Sequence, residues 1–193
     1  MIIKKIKVNF LVIIMLLILT GCVNDNNHIE VNAYVDSAMD AMYKGNFIKY
    51  SEITGLEINK VEEIYMNGLN IESNAFANYF DIRNLTEEMQ NEIINLYKSI
   101  YSKSKYEIEN INDSGNGYLV DISIYPINII SLAYNDILLY IDEFNVKTFN
   151  GDFDNLNDEE FENEYVKGII EVMKRYLPEI GYSEKNYYYR SFT

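Results

Sequence analysis

Apolar positions recur every three or four residues over most of the chain. Val31, Val35, Ala38 and Met42 form one such stripe, which predicts a helix from Val31 toward Tyr50, interrupted at Gly45-Asn46. A second helix is predicted from Asn59, which has capping-box form with Glu62, and its face runs through Val61, Ile64, Tyr65, Gly68 and Ile71 to Phe76, Tyr79 and Phe80. A third follows Thr86 as N-cap, with Glu87 and Glu88 at the positive end of the helix dipole and a stripe of Met89, Ile93, Leu96, Tyr97 and Ile100. The period then shortens to two. Tyr106 and Ile108 alternate with Glu107 and Glu109, and Val120, Ile122 and Ile124 alternate with Asp121 and Ser123. Between them lies Asn112-Asp113-Ser114-Gly115-Asn116-Gly117, so residues 105–126 predict an antiparallel hairpin closed by Pro126.

Helical spacing returns in Ile130, Tyr134, Ile137, Leu138, Ile141 and Phe144. After the polar loop Asn150–Asn157, it recurs in Phe161, Tyr165, Ile169, Val172 and Tyr176, and Pro178 ends that helix. Ser183–Thr193 predicts an edge strand through Tyr187, Tyr188 and Tyr189. A hairpin alone is marginal in water and needs a covering layer. The expected fold is therefore α+β, a predominantly helical single domain over residues 31–193.

The first 30 residues follow a different pattern. Lys4, Lys5 and Lys7 precede ten apolar residues, Phe10 to Leu19, and then the small Thr20 and Gly21. This is the order of an export signal, with a basic head, an apolar run of roughly 7–15 residues and a small-residue cut site. A spanning helix needs about 20 apolar residues, and Asn9 and Asn24-Asp25-Asn26-Asn27 bound the run too closely for that. Residues 22–30 then read as a polar tether.

Leu19-Thr20-Gly21-Cys22 resembles the lipobox of bacterial lipoproteins in all four positions. The resemblance implies a signal peptide over residues 1–21, diacylglycerol on the Cys22 sulfur, and cleavage between Gly21 and Cys22. The chain would then be held by acyl chains on the extracytoplasmic face of the cell membrane. One acyl chain binds a bilayer only reversibly, whereas two hold it.

The stretch Ala33–Phe144, with Lys44-Gly45-Asn46-Phe47 after the first helix and the strand Val120–Pro126, resembles uncharacterised lipoproteins of low-GC Gram-positive bacteria. These carry domains of unknown function, some compared with the cone-shaped α+β folds related to nuclear transport factor 2. The abundance of Ile, Asn and Tyr fits that origin. The chain departs from a full cone in lacking a set of closing strands and any Trp, so the expectation is a helical bundle with a hairpin and at most a partial cone-like layer.

Charge narrows the partners. The chain carries 16 basic and 30 acidic residues, and loss of the three signal lysines leaves 13 − 30 = −17. Such a surface repels phosphate backbones, which excludes nucleic acid, and is repelled by anionic lipid headgroups. Cys22 is the single cysteine, so the domain has no intrachain disulfide and depends on its core.

No catalytic set assembles in the sequence. His28 is the single histidine and falls in the predicted tether, which excludes histidine-based triads and multi-histidine zinc sites. Asp152, Asp154, Asp158, Glu159, Glu160, Glu162 and Glu164 form the densest acidic run. Counted from Asp152, an EF-hand would find Leu156 at position 5, Asn157 at 6 and Asn163 at 12, and it fails at all three. Asn157 with Glu160 reads instead as a capping box. The adjacent pairs Glu62-Glu63, Glu87-Glu88 and Glu159-Glu160 point about 100° apart on a helix and do not face one another as a hydrolase pair would. No metal or cofactor is expected. The expectation is a non-enzymatic module that binds an envelope protein or peptide, with Tyr187, Tyr188 and Tyr189 as the candidate surface, because tyrosine suits interfaces and a strand there can pair with another edge. The alternatives are a small-ligand carrier with a pocket between helices and hairpin and, behind it, an envelope hydrolase.

Overall fold

The structure, a computed structural model, describes residues 27–183 and, as backbone, 186–192. Its elements are α1 (Asn27–Met39), a π-helical turn (Asp40–Lys44), α2 (Ile48–Thr54), α3 (Ile58–Tyr79), α4 (Glu87–Tyr101), β1 (Lys105–Asp113), β2 (Tyr118–Tyr125), α5 (Ile129–Phe149), α6 (Asp158–Tyr176), a 3₁₀ turn (Leu177–Glu179) and β3 (Asn186–Phe192). The fold is α+β and mostly helical.

α4 forms the middle of the helical layer. It lies between α3 and α6, and α6 carries α5 on its far side. The main core is made by Leu69, Phe76, Met89, Ile93, Leu96, Ile100, Ile169 and Met173, all buried, together with Ile129, Ala133 and Ile137 of α5. A second core lies under α1, where Val35 meets Val120 and Ile122 of β2. A third joins the π turn, α2 and α3 through Ala41, Tyr50 and Val61. Tyr43 in the π turn meets the Tyr101 ring edge-on at 6.0 Å, which ties this corner to α4.

The caps follow local chemistry. Thr86 accepts from the Met89 amide at 3.2 Å. Asn157 and Glu160 form a complete reciprocal box, at 2.9 Å and 3.0 Å. Glu162, one of the acidic run, instead accepts from the backbone amide of Asn84 at 2.7 Å, pinning the turn before α4.

The sheet has order β1-β2-β3, antiparallel throughout. The hairpin expected over 105–126 is present, and the segment after Ser183 does form a strand, pairing with β2 along its whole length. The approach to β3 is fixed by Asn128, whose side-chain oxygen accepts from the Gly181 amide at 2.9 Å, and by Tyr182, which donates to the Lys103 carbonyl at 2.6 Å.

Four local expectations are corrected. α1 starts at Asn27, so His28 and Glu30 are helical rather than part of a tether ending at residue 30. α3 starts at Ile58 behind an extended Glu57, because Gly55 with φ of +70° has already ended α2; Asn59 therefore sits inside the first turn, where it cannot cap. The buried face of α3 runs Val61, Tyr65, Leu69, Ser73, Phe76, Ala77, leaving Ile71 and Tyr79 in solvent. On α5 the buried face is Ile129, Ala133, Ile137 and Phe144, and Ile130, Tyr134 and Leu138 are 44%, 42% and 39% exposed. α5 is apolar over about half its circumference, so several stripes were equally available to the sequence.

Among the described residues no helix is long and apolar enough to cross a membrane.

Candidate functional site

The two outer strands of the sheet differ sharply. β1 carries Lys105, Glu107, Glu109 and Asp113, and its register with β2 shifts between Ile108 and Asn110. A bulge and charged residues are the usual devices that stop an edge strand from recruiting another. α1 also runs alongside. Between them lies an open groove of about 520 Å³, lined among others by His28, Ile29, Asn32, Lys49, Glu109 and Asn110. His28, the chain's single imidazole, stands at the end of this groove. Its Nε2 is 3.5 Å from an Asp113 carboxylate oxygen and its ring meets Tyr118 edge-on at 5.5 Å.

One face of the hairpin is a polar layer. Ser123 Oγ, fully buried, donates to Glu109 at 2.7 Å, and Tyr125 donates to Glu107 at 2.7 Å. Asn110 Nδ2 donates to Asp121 at 3.2 Å. Lys105 lies over the Tyr125 ring at 4.1 Å.

The other face is clamped to α1 by one phenol. The Tyr106 oxygen lies 2.9 Å from Asp36 Oδ1, 2.9 Å from Asp40 Oδ1 and 3.1 Å from the Asp36 carbonyl. Lys44 pairs with Asp40 at 2.7 Å and Lys49 with Asp36 at 3.0 Å, so each carboxylate has its own cation. The π turn makes this possible by widening the helix before Gly45, whose φ of +71° ends it. Burial and the two carboxylates push the Tyr106 hydroxyl well above the usual tyrosine range. Burial would raise Asp36, but hydrogen bonds from Lys49 and Tyr106 outweigh it and hold the carboxyl below its ordinary value. A phenol held protonated between two neutralised carboxylates is a poor base and a poor nucleophile. This network fastens α1 to the hairpin.

A second half-buried acid lies between α3 and α4. Burial pushes the Glu72 carboxyl above its ordinary value, partly offset by a hydrogen bond with Tyr101. Burial, then the Glu72 charge, raises Tyr97 and Tyr101 in turn. Both phenols stay protonated, and Tyr101 shares a hydrogen bond with Glu72.

Among the described residues, β3 has none of the devices that guard β1. It is straight in register from Asn186 to Phe192, it lacks Pro and Lys, and Arg190 is its one charge. Tyr187, Tyr188 and Tyr189 are the register partners of Ser123, Ile122 and Asp121. Among the described residues no strand pairs with its outer side. Gly21 and Cys22, the expected cleavage and lipid-attachment positions, lie outside the described residues. The Tyr106 clamp went unread in the sequence. Its one local signal is the spacing of Asp36, Asp40 and Lys44 at intervals of four, on one side of a helix. Glu72 leaves no such signal.

No protein-family model matches the chain, and no curated protein matches it. Among solved structures, the crystal structure of a candidate lipoprotein, ycdA, from Bacillus subtilis is similar in fold. Its TM-score is 0.56 over 83% of this chain, with 13% identity. The match covers 47% of that protein, so the chain spans about half the length of its structural neighbour.

Proposed function

We propose that this chain is an envelope lipoprotein, anchored through acyl chains on Cys22 to the extracytoplasmic face of the membrane, and that its domain is a non-enzymatic module binding an envelope protein or peptide along β3. The observation that carries the reading is the contrast between the two sheet edges. β1 is bulged, charged and flanked by α1, while β3 offers seven residues of straight, almost uncharged backbone. The anchor rests on Leu19-Thr20-Gly21-Cys22, and the lipoprotein description of the structural neighbour is consistent with it. The titratable groups with displaced protonation, Asp36, Tyr106, Glu72 and Tyr101, stand in structural hydrogen bonds, which supports a non-catalytic role.

Two measurements test the proposal. Cys22→Ala should move the protein out of salt-washed membranes, and retention there would reject the acyl anchor. Deletion of Tyr187–Thr193 should abolish recovery of the partner that cross-links to the intact chain in cells, and unchanged recovery would reject β3 as the surface. A small-ligand carrier is the second reading, favoured by the groove between α1 and β1. It predicts ligand-dependent thermal shifts that Lys49→Ala diminishes and the β3 deletion leaves intact.

A further inference from the structure

We infer that the partner of β3 is a second copy of the same chain, joined by antiparallel β3–β3′ pairing into a continuous six-stranded sheet across two protomers. This deepens the reading of β3 as a docking edge and rests on it. A two-fold axis normal to an antiparallel ladder must pass between two copies of the same residue. The strand Asn186–Phe192 has Tyr189 at its centre. Pairing about Tyr189 therefore uses all seven residues, whereas centring on Tyr188 or Arg190 uses five. The Tyr189 register also sets Arg190 opposite Tyr188 and keeps the two arginines from meeting; centring on Arg190 would oppose them. Like charges directly opposed are destabilising, and aromatic or cation-aromatic neighbours are favourable.

Two domains of net charge −17 repel each other over most of their surfaces, and the contact between copies must form where that repulsion is least. β3 carries one Arg and no acid, the opposite of the chain as a whole. β1, with Glu107, Glu109 and Asp113 against a single Lys105, would set acid against acid if it paired with itself. The self-complementary edge and the least repulsive edge are the same strand.

The test uses the full chain in intact cells. With the Cys22 sulfur carrying diacylglycerol, Tyr189→Cys supplies the one free thiol of the anchored chain, and directly opposed residues of an antiparallel pair have Cβ atoms about 4.5–5.5 Å apart, within reach of a disulfide after mild backbone adjustment. Mild oxidation should convert most of the protein to a reducible band of twice the mass. Asn112→Cys on β1, in the same anchored chain, should not cross-link. A second pair keeps the result independent of thiol chemistry. Tyr189→Lys and Tyr189→Glu, carried on differently tagged copies, should each lose self-association alone and regain it when expressed together. Absence of the 189-specific band with no recovery in the mixed pair would overturn self-pairing. If a different protein is then captured through β3, the interaction-module reading stands and the second copy is excluded; if β3 captures nothing, both fall.

Discussion

Gly168 on α6 is the tightest point between α5 and α6, and it makes a sharp test of how those helices pack. A Cβ built there would lie 1.9 Å from Cζ of Tyr140 and 2.1 Å from its oxygen. The phenol crosses α6 over the glycine and donates to the Glu164 carbonyl at 2.9 Å, with the Tyr165 carbonyl at 3.2 Å. Its ring also stacks on Tyr165 at 6.4 Å. Gly168→Ala must expel that ring. Overpacking of this kind costs ~1–3 kcal/mol, and the lost hydrogen bond adds ~1 kcal/mol. Alanine returns ~1 kcal/mol through helix propensity. The net expectation is destabilisation by ~1–3 kcal/mol. With Tyr140→Ala already in place there is nothing to expel, and the same Gly168→Ala should stabilise by ~1 kcal/mol. Urea denaturation of residues 24–193 in the four members of this cycle reads the sign directly. Stabilisation by Gly168→Ala in both backgrounds, or an equal loss in both, would refute the close contact.

Three further outcomes follow from the interior. Ser73 is fully buried and its hydroxyl has no hydrogen-bond partner among the described residues, so Ser73→Ala should raise stability by ~1 kcal/mol in thermal denaturation. Tyr106→Phe should cost ~1–2 kcal/mol near neutral pH by leaving Asp36 and Asp40 without their shared donor. Asp36 is held below its ordinary 3.8, so the unfolded chain binds the extra proton, and this stability is present above that value and lost as pH falls through the folded one; the Tyr106→Phe penalty should shrink in urea titrations near pH 2.5. Glu72 has the opposite sign. Its folded value lies above 4.5, so the folded chain holds the proton longer and stability falls as pH rises through that window; Glu72→Gln should stabilise at pH 7 and change little at pH 4.

What the sequence made legible was local. Thr86 and Asn157 cap where their spacing to Met89 and Glu160 places them, because capping needs only three residues of context. The hairpin follows from alternation and a Gly/Asn turn. What was not legible depends on partners distant in the chain. The face of α5 is selected by α6, through Gly168 admitting Tyr140, and periodicity in a helix apolar over about half its circumference cannot express that choice. Tyr106 reads as one more strand aromatic until it meets Asp36, 70 residues earlier. His28 leaves the predicted tether because α1 extends to meet Asp113 and Tyr118 of the hairpin. The candidate surface at Tyr187–Tyr189 could be located from β propensity, but the contrast that gives it meaning, a guarded β1 against an unguarded β3, required the sheet order.

The most direct measurement of docking on β3 is photo-cross-linking in intact cells, with a photoreactive residue at position 189 of the full chain and, separately, at position 152 in the loop between α5 and α6. Docking on β3 predicts a discrete adduct from position 189 and none from position 152. The same pattern of adducts from both positions, or none from 189, would contradict the claim that this domain works by docking a partner on β3.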